Sequence, residues 1–250
     1  MSAAVSVECA RVNQKKVGAI RIVFIPIHDQ NPLKIIPFQR VTLGIILACV
    51  ATFLLEWSLP PAEASSLLKS FALVPAVLLG PPDAATGLIP TGLTLVTSAF
   101  LHGSWPHLIG NMLLLWVFGD NVEDSMGHLR FFFFYLLCGV VASLAHAVAM
   151  PDSTLPLVGA SGAVSGVLGA YLMLHPRVKI LVVVLRWLPL VLPAYLLIGG
   201  WLLFQLYNLW SASDAPIAWW AHLGGFVAGA VLVVPLRYKR VPLFDRGASH

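Results

Sequence analysis

A serine and a histidine stand near the starts of two apolar stretches of this 250-residue chain. Ser161 follows Gly159 and Ala160, and two glycines lie shortly after His222. Polar side chains are costly inside a bilayer and usually need a functional reason. A serine hydroxyl becomes a good nucleophile when a neutral histidine removes its proton. The pair therefore predicts hydrolysis by acyl transfer, carried out by a Ser–His dyad.

Acyl transfer also needs hydrogen-bond donors for the oxyanion of its tetrahedral intermediate. Ser161 lies at the start of a predicted helix, where unpaired N–H groups and the helix dipole favour negative charge. His107 and Asn111 are four residues apart, so both project from one face of their helix. Either side chain is able to donate to the oxyanion.

The composition indicates that these helices lie in a membrane. Hydrophobic residues make up 58% of the chain and charged residues only 10%, whereas a soluble domain carries roughly a quarter charged residues. We predict an all-α integral membrane protein with a bundle of six transmembrane helices, each near the ~20 residues that cross a bilayer core. The predicted spans are 41–58, 106–122, 130–150, 159–175, 190–210 and 217–236.

The predicted domains are an N-terminal cytoplasmic segment at 1–40, a membrane domain at 41–237 and a short cytoplasmic tail at 238–250. The first segment lacks the apolar region of a cleavable signal peptide. A proline-rich stretch between the first two spans is expected to lie in the outer interface as a loop.

The positions of the basic residues predict the orientation. With six spans, 14 of the 15 basic residues lie on one side, and only Lys69 lies on the other. By the positive-inside rule, both termini are cytoplasmic. Spans two, four and six then begin on the outer side, and each begins with one or two of the polar residues above. The positive charge indicates contact with anionic lipid rather than nucleic acid.

Small residues follow both members of the dyad at helical spacing. Glycines in such rows let helix backbones approach closely in lipid, which would bring Ser161 and His222 within hydrogen-bond reach. The glycines predicted to pack helices near the site are Gly159, Gly162, Gly166, Gly225 and Gly229.

Three motifs are specific in combination: His102-x4-His107-x3-Asn111, Gly159-Ala-Ser161-Gly162 and Ala221-His222-x2-Gly225-x3-Gly229. A fourth, Glu123-x3-Gly127-x2-Arg130, follows the second span. On these motifs the chain resembles the rhomboid family of intramembrane serine proteases, from about Thr91 to Val234.

The resemblance implies a six-helix core that opens outward and cleaves single-span or other transmembrane proteins without a cofactor or metal. Ser161 would be the nucleophile and His222 the general base. Asn111, His107 and the Ser161 amide would form the oxyanion hole. We expect a prokaryotic plasma membrane; substrate identity and oligomeric state stay open.

One departure from the family pattern leaves the support of His222 open, and a second leaves open the structural role of the first outer loop but not the dyad. Some members of the family carry a tyrosine one turn after the serine, packed against the histidine, and here that position is Ser165. The Trp-Arg pair that some members have in the first outer loop is also missing. No acidic residue is near His222 in sequence, and although loop residues Asp152 and Asp214 could approach it, we favour a dyad.

Two other classes of function remain as alternatives. A metal- or haem-binding protein would use histidines, but no HExxH motif or intramembrane carboxylate accompanies them. The histidines in question are His102, His107, His146 and His222. A non-catalytic protein that binds membrane helices would suit the rows of small residues but would leave Ser161 unexplained. We interpret His102 as structural.

Overall fold

Long apolar runs of this chain form helices, which pair their backbone N–H and C=O groups internally, as a bilayer requires. The structure, a computed structural model, describes residues 24–81, 87–184, 188–211 and 217–245. Its α-helices are α1 (Arg40–Ser58), α2 (Pro61–Phe71), α3 (Pro75–Leu78), α4 (Thr94–Thr97), α5 (Trp105–Met126), α6 (His128–Ala149), α7 (Ser161–Leu174), α8 (Ala194–Trp210) and α9 (Trp219–Leu236). The six long ones, α1 and α5 to α9, coincide with the six predicted spans to within a few residues, except that α8 begins at Ala194 rather than 190.

Three of the long helices, α1, α6 and α9, are both long and apolar enough to cross a membrane. Helix α7 has 14 residues and α8 has 17, which is short of the ~20 that span a bilayer core. The fold is therefore mostly helical with three candidate spans among the described residues. The predicted count of six is not confirmed.

The stretch between α1 and α5, predicted as an interfacial loop, contains the short helices α2, α3 and α4. Its segments are bonded to one another and to the loop before α7. Thr97 donates its hydroxyl proton to the Phe71 carbonyl oxygen at 2.7 Å, and the Leu73 backbone forms a β-bridge with Leu157.

A small sheet was missed by the prediction of a purely helical protein. Strands β1 (Phe24–Asp29), β2 (Lys179–Val184) and β3 (Leu188–Pro193) pair antiparallel in the order β1–β2–β3. The predicted fifth span therefore began too early, within β3. A short apolar run of β-branched residues fits a buried strand and an apolar helix equally well. Pro193 ends β3 immediately before the helix begins.

The sheet lies at one end of the bundle, which we call the sheet end. There the Tyr238 N–H, just after α9, donates to the Ser125 carbonyl oxygen in α5 at 2.9 Å. The Asp245 N–H donates to the last carbonyl of α7, that of Leu174, also at 2.9 Å. Because α5, α7 and α9 all finish at the sheet end, they all begin together at the opposite end.

Residues of β1 are anchored in the helices through Asp29, which is only 4% exposed. Its carboxylate accepts hydrogen bonds from the Tyr171 hydroxyl at 2.6 Å and the Asn121 amide at 3.0 Å. Burial raises the pKa of the Asp29 carboxyl, and the hydrogen bond from Tyr171 partly offsets that rise. Part of the predicted N-terminal segment thus packs on the bundle, while residues 1–23 lie outside the described residues.

Glu123, from the fourth motif, lies in the last turn of α5 rather than in a loop. It is fully buried and accepts hydrogen bonds from the Val41 and Thr42 amides at 3.0 and 2.8 Å. These are amides of the first turn of α1, which lack partners within that helix. Arg130 of the same motif donates to the Leu236 carbonyl oxygen at 3.2 Å and lies over the Tyr238 ring.

Candidate active site

The start of α5 places His107 and Asn111 at the end of the bundle opposite the sheet. Ser104 is the N-cap of this helix, and its hydroxyl oxygen accepts a hydrogen bond from the His107 amide at 3.4 Å. A serine cap of this kind fixes the entry of a helix. Asn111 follows His107 by one turn on the same face.

The loop before α7 passes directly against the His107 ring. Gly159 has a φ of +120°, which L side chains rarely adopt, and a β-carbon there would come within 2.6 Å of His107 Nε2. The Gly159 N–H donates to the Ser98 carbonyl oxygen at 2.9 Å. Only glycine fits both the backbone conformation and the space. Gly159 therefore allows the loop before α7 to lie against the His107 ring.

His102 bonds the residue immediately before Ser161. The Ala160 N–H donates to His102 Nε2 at 3.4 Å, and the His102 side chain is fully buried. Burial, with a smaller contribution from His107, lowers the pKa of His102 to about 4. The ring is therefore neutral at pH 7, as its acceptor role requires. This hydrogen bond holds the loop that leads into Ser161, and it agrees with the interpretation of His102 as a structural residue.

Ser161 begins α7, and its N–H group has no intrahelical partner because it lies in the first turn. The N-cap residue is Ala160, which has no side-chain acceptor to cap the helix. A cavity of about 10 Å³ lies beside Ser161 and is also lined by Ser98 and Ala221. A space of this size admits roughly one water-sized group. The uncapped helix start therefore offers donors to a small anionic group.

Helices α7 and α9 approach backbone to backbone through their glycines. A methyl group on Gly225 would overlap the Gly162 carbonyl oxygen, and one on Gly229 would overlap the Gly166 carbonyl oxygen. Small residues permit this approach in lipid. The contact places Ser161, the neighbour of Gly162, at the start of α7 beside the first turns of α9.

His222 lies in the first turn of α9, next to Ala221, which lines the same cavity as Ser161. Within the described residues, no hydrogen bond joins the Ser161 hydroxyl to His222. In ligand-free enzymes catalytic hydrogen bonds are often long and tighten only in the substrate complex. The structure thus brings the first turns of α7 and α9 together.

Gln205 is the polar contact of His222 that the sequence analysis missed. Its side-chain oxygen lies 2.8 Å from His222 Nδ1, and Gln205 is only 3% exposed. Trp201 and Trp219 also face the imidazole, with ring centroids 6.0 and 6.3 Å away. Gln205 is a buried polar residue in the apolar helix α8, and such residues often mark functional sites.

Asn111 is 5% exposed, and its side-chain nitrogen has no hydrogen-bond partner within the described residues. A buried amide donor without a partner is costly unless another group uses it. Ser165, at the position of the family's tyrosine, donates instead to the Ser161 carbonyl oxygen at 2.6 Å. Its side chain is therefore engaged within α7.

The remaining candidates do not converge on a second site. Within the described ranges, no group of three His, Cys, Asp or Glu side chains is placed to hold a metal ion. His146 lies near the end of α6, and no partner for its Nδ1 is found among the described residues. Asp152 lies in the exposed turn after α6, and Asp214 falls outside the described residues.

The fold and site define a helical membrane protein with a serine and a histidine at the starts of two closely packed helices. A family model described as "Rhomboid domain" matches residues 91–239, more than half of the chain. The chain belongs to the rhomboid family, as its motifs indicated.

Relatives of known name are similar to the same part of the chain. Rhomboid protein 1, mitochondrial, of Saccharomyces cerevisiae is 32% identical over 152 residues, which cover 57% of this chain and 41% of the yeast protein. Presenilin-associated rhomboid-like protein, mitochondrial, of Homo sapiens is 30% identical over 151 residues, covering 59% and 36%. Rhomboid protease GluP of Bacillus subtilis is 44% identical over 78 residues, covering 31% and 15%.

These matches span less than half the length of each of these relatives. Membership of the family and the apolar helices support an integral membrane protein. The mitochondrial names do not support the predicted prokaryotic plasma membrane, although one of the relatives is bacterial. The particular membrane stays a prediction.

Proposed function

We propose that this chain is a serine endopeptidase that hydrolyses peptide bonds in or near the transmembrane segments of other membrane proteins. The observation that carries the proposal is the glycine contact between α7 and α9. It sets Ser161, on an uncapped helix start, beside the turn that holds His222. The name of the Bacillus subtilis relative, a protease, supports the same class of reaction.

In the proposed reaction, His222 Nε2 accepts the Ser161 hydroxyl proton as the oxygen attacks the substrate carbonyl carbon. The proton then passes from His222 to the leaving amine as the peptide C–N bond breaks, which leaves an acyl group on Ser161. Water, deprotonated by His222, attacks this ester and releases the carboxylate product. The dyad returns to its starting state without a cofactor or metal.

The oxyanion of each tetrahedral intermediate is stabilised by the Ser161 N–H, the Asn111 amide and His107. Support comes from the missing cap at Ser161, from the amide nitrogen of Asn111 without a partner, and from the His107 ring held against Gly159. Donors already in place when negative charge develops lower the barrier without reorganisation.

The proposed topology has six crossings with both termini in the cytoplasm and the active site open to the outer side of the membrane. It rests on the positions of the basic residues and on the shared beginning of α5, α7 and α9 opposite the sheet. The proposed substrates are single-span or other transmembrane proteins, in contact with membrane lipid. The plasma membrane of a prokaryote stays our prediction for its location.

The test is cleavage of a fluorescent single-span substrate by the purified full-length protein. We expect the wild type to cleave it and the Ser161→Ala and His222→Ala variants not to, with the unfolding temperature unchanged. Ser165→Ala is the matched control, since its hydroxyl bonds a carbonyl within α7, and it should keep most of the activity. Equal cleavage by Ser161→Ala would contradict the proposal, and substrate binding without cleavage by the wild type would support a binding protein instead.

A further inference from the structure

We infer that Gln205 is a positioning residue that selects the catalytic tautomer of His222. The inference rests on the proposed function for its catalytic consequence, but the geometry stands by itself. The Gln205 side-chain oxygen and His222 Nδ1 are 2.8 Å apart, and they join α8 to α9 over a separation of 17 residues.

The chemistry of the two groups fixes which atom carries the proton. A neutral imidazole has one N–H donor and one acceptor nitrogen, and an amide oxygen only accepts. The hydrogen bond therefore requires the proton on Nδ1. The lone pair of Nε2 is then available to take the Ser161 proton. With the proton on Nε2 instead, the ring could not act as the base.

The burial of Gln205 strengthens the preference for the Nδ1–H tautomer of His222. Gln205 is one of three buried residues of α8, with Ala194 and Ile198, while most of that helix is partly or fully exposed. An amide oxygen buried without a donor would lose the hydrogen bonds it makes in water. The Nδ1–H tautomer satisfies both groups at once, so the fold favours it.

The ring is also held laterally by two indole rings. Trp201 lies one helical turn before Gln205 on the same face of α8, and Trp219 lies one turn before His222 on α9. Ser165, which stands where some relatives have a tyrosine, is bonded to the Ser161 carbonyl oxygen instead. Support for the imidazole comes from α8 and α9 in this protein.

Among the residues that the structure describes, few ionisable groups surround Gln205 and His222. The titratable groups facing His222 are His107 on α5 and His146 on α6. Its described hydrogen-bond partner on α8, Gln205, is neutral, and Ser161 and Ser165 of α7 are hydroxyl groups. Within the described part of the chain, the group bonded to His222 Nδ1 is therefore a neutral amide and not a carboxylate.

The test compares Gln205→Leu, Gln205→Glu and the matched control Asn208→Leu in the full-length protein. Asn208 carries the same amide on the same helix, but it is only partly buried and its side-chain nitrogen donates to the Phe204 carbonyl oxygen. We expect Gln205→Leu to lower kcat by roughly 10- to 100-fold, as for a buried polar group without its partner, with KM within about twofold. Asn208→Leu should keep both constants within about twofold.

Gln205→Glu should restore kcat, because a carboxylate oxygen also accepts from Nδ1–H. Its negative charge favours the protonated imidazole, which cannot act as a base. The His222 imidazole then becomes neutral only at higher pH. In a plot of kcat against pH, the acid limb should therefore move to higher pH. A merely structural role for Gln205 would leave kcat of Gln205→Glu as low as that of Gln205→Leu.

A readout independent of proteolysis is the ¹⁵N spectrum of histidine-labelled protein, with His222→Ala used for assignment. We expect Nδ1 of His222 to carry the proton in the wild type and the tautomers to be mixed in Gln205→Leu. The proton on Nε2 in the wild type would overturn the inference, as would an unchanged kcat in Gln205→Leu. If Gln205→Leu does not fold, the inference is tested by the ¹⁵N spectrum of the wild type and by the pH dependence of kcat in Gln205→Glu.

Failure of the proposed function gives a different pattern. The wild type would then neither cleave single-span substrates nor react at Ser161 with a serine-directed reagent. The ¹⁵N spectrum would still show whether Gln205 selects the tautomer of His222. The two claims can thus fail separately.

Discussion

At the residue scale, the site combines side chains that are already bonded with others that keep their donors for a ligand. Gln205 and His102 are bonded and buried, and each positions one part of the dyad. Asn111 is also buried, but its side-chain nitrogen has no partner within the described residues. Buried polar groups are normally satisfied, so an exception calls for a functional reason. Donation to a substrate oxyanion, as proposed above, would supply that reason.

Replacing Asn111 with alanine should lower kcat by roughly 10²–10³, the usual effect of removing one oxyanion donor. The substrate carbonyl in its ground state gains less from this donor than the oxyanion does, so KM should change little. Steady-state kinetics with the single-span substrate measure both constants. Asn208→Ala on α8 is the control, and wild-type turnover by Asn111→Ala would remove that residue from the mechanism.

At the scale of elements, α7 and α9 hold the site through close backbone contact. Gly166 and Gly229 meet where neither has room for a methyl group. Because packed interiors resist extra volume, the contact is sensitive to the smallest enlargement. The same contact sets the distance between the starts of the two helices, where Ser161 and His222 lie.

Gly229→Ala should lower the free energy of unfolding by about 1–3 kcal/mol, the usual cost of overpacking, and should reduce cleavage as well. Gly200→Ala in α8 is the matched control, since nothing lies within 4 Å of the added methyl group. It should be neutral or slightly stabilising, because alanine favours helices. Thermal unfolding in detergent compares the two variants, and equal stability would contradict the packing account.

Glu123→Gln should destabilise the start of α1. The carboxylate accepts from two amides and from the Thr42 hydroxyl, and a neutral amide can replace only part of this. We expect a loss of about 1–3 kcal/mol in the free energy of unfolding. Glu63→Gln, at an exposed position of α2, should have little effect. A loss of stability no larger than that of Glu63→Gln would show that this cap is unimportant.

Apolar runs predicted the long helices because a segment that lies in lipid must pair its own backbone N–H and C=O groups, and a helix does so within one segment. They did not predict the sheet, since Lys179–Val184 has no period that separates a buried strand from a helix. The motifs predicted where Ser161 and His222 would lie, because both stand at helix starts. Gln205 could not be distinguished from Asn208, since only the rotation of α8 shows which of the two faces His222.

At the scale of the whole molecule, the sheet and the dyad lie at opposite ends of one bundle. Most basic residues of the chain lie in segments that the predicted topology assigns to the cytoplasmic side, and β1 and β2 lie in two of these segments. In the proposed topology, which follows the positive-inside rule, the sheet lies in the cytoplasm and Ser161 and His222 lie toward the outer side. Substrate would then meet Ser161 from the outer half of the bilayer.

Single cysteines test this orientation in intact cells, in a background with Cys9 replaced by serine. Asp152→Cys, in the exposed turn after α6, should react with a membrane-impermeant maleimide added outside. Lys239→Cys, exposed after α9, should react only after the membrane is permeabilised. The reverse pattern would contradict the proposed topology.

Activation of Ser161 by His222 can be measured through the site at which the protein reacts with a fluorophosphonate. Full-length wild-type protein would be labelled, digested and mapped by mass spectrometry beside its His222→Ala variant. We expect one modified serine, Ser161, in the wild type and no modification of Ser161 in His222→Ala. Modification of another serine such as Ser165, or equal labelling of Ser161 without His222, would contradict it.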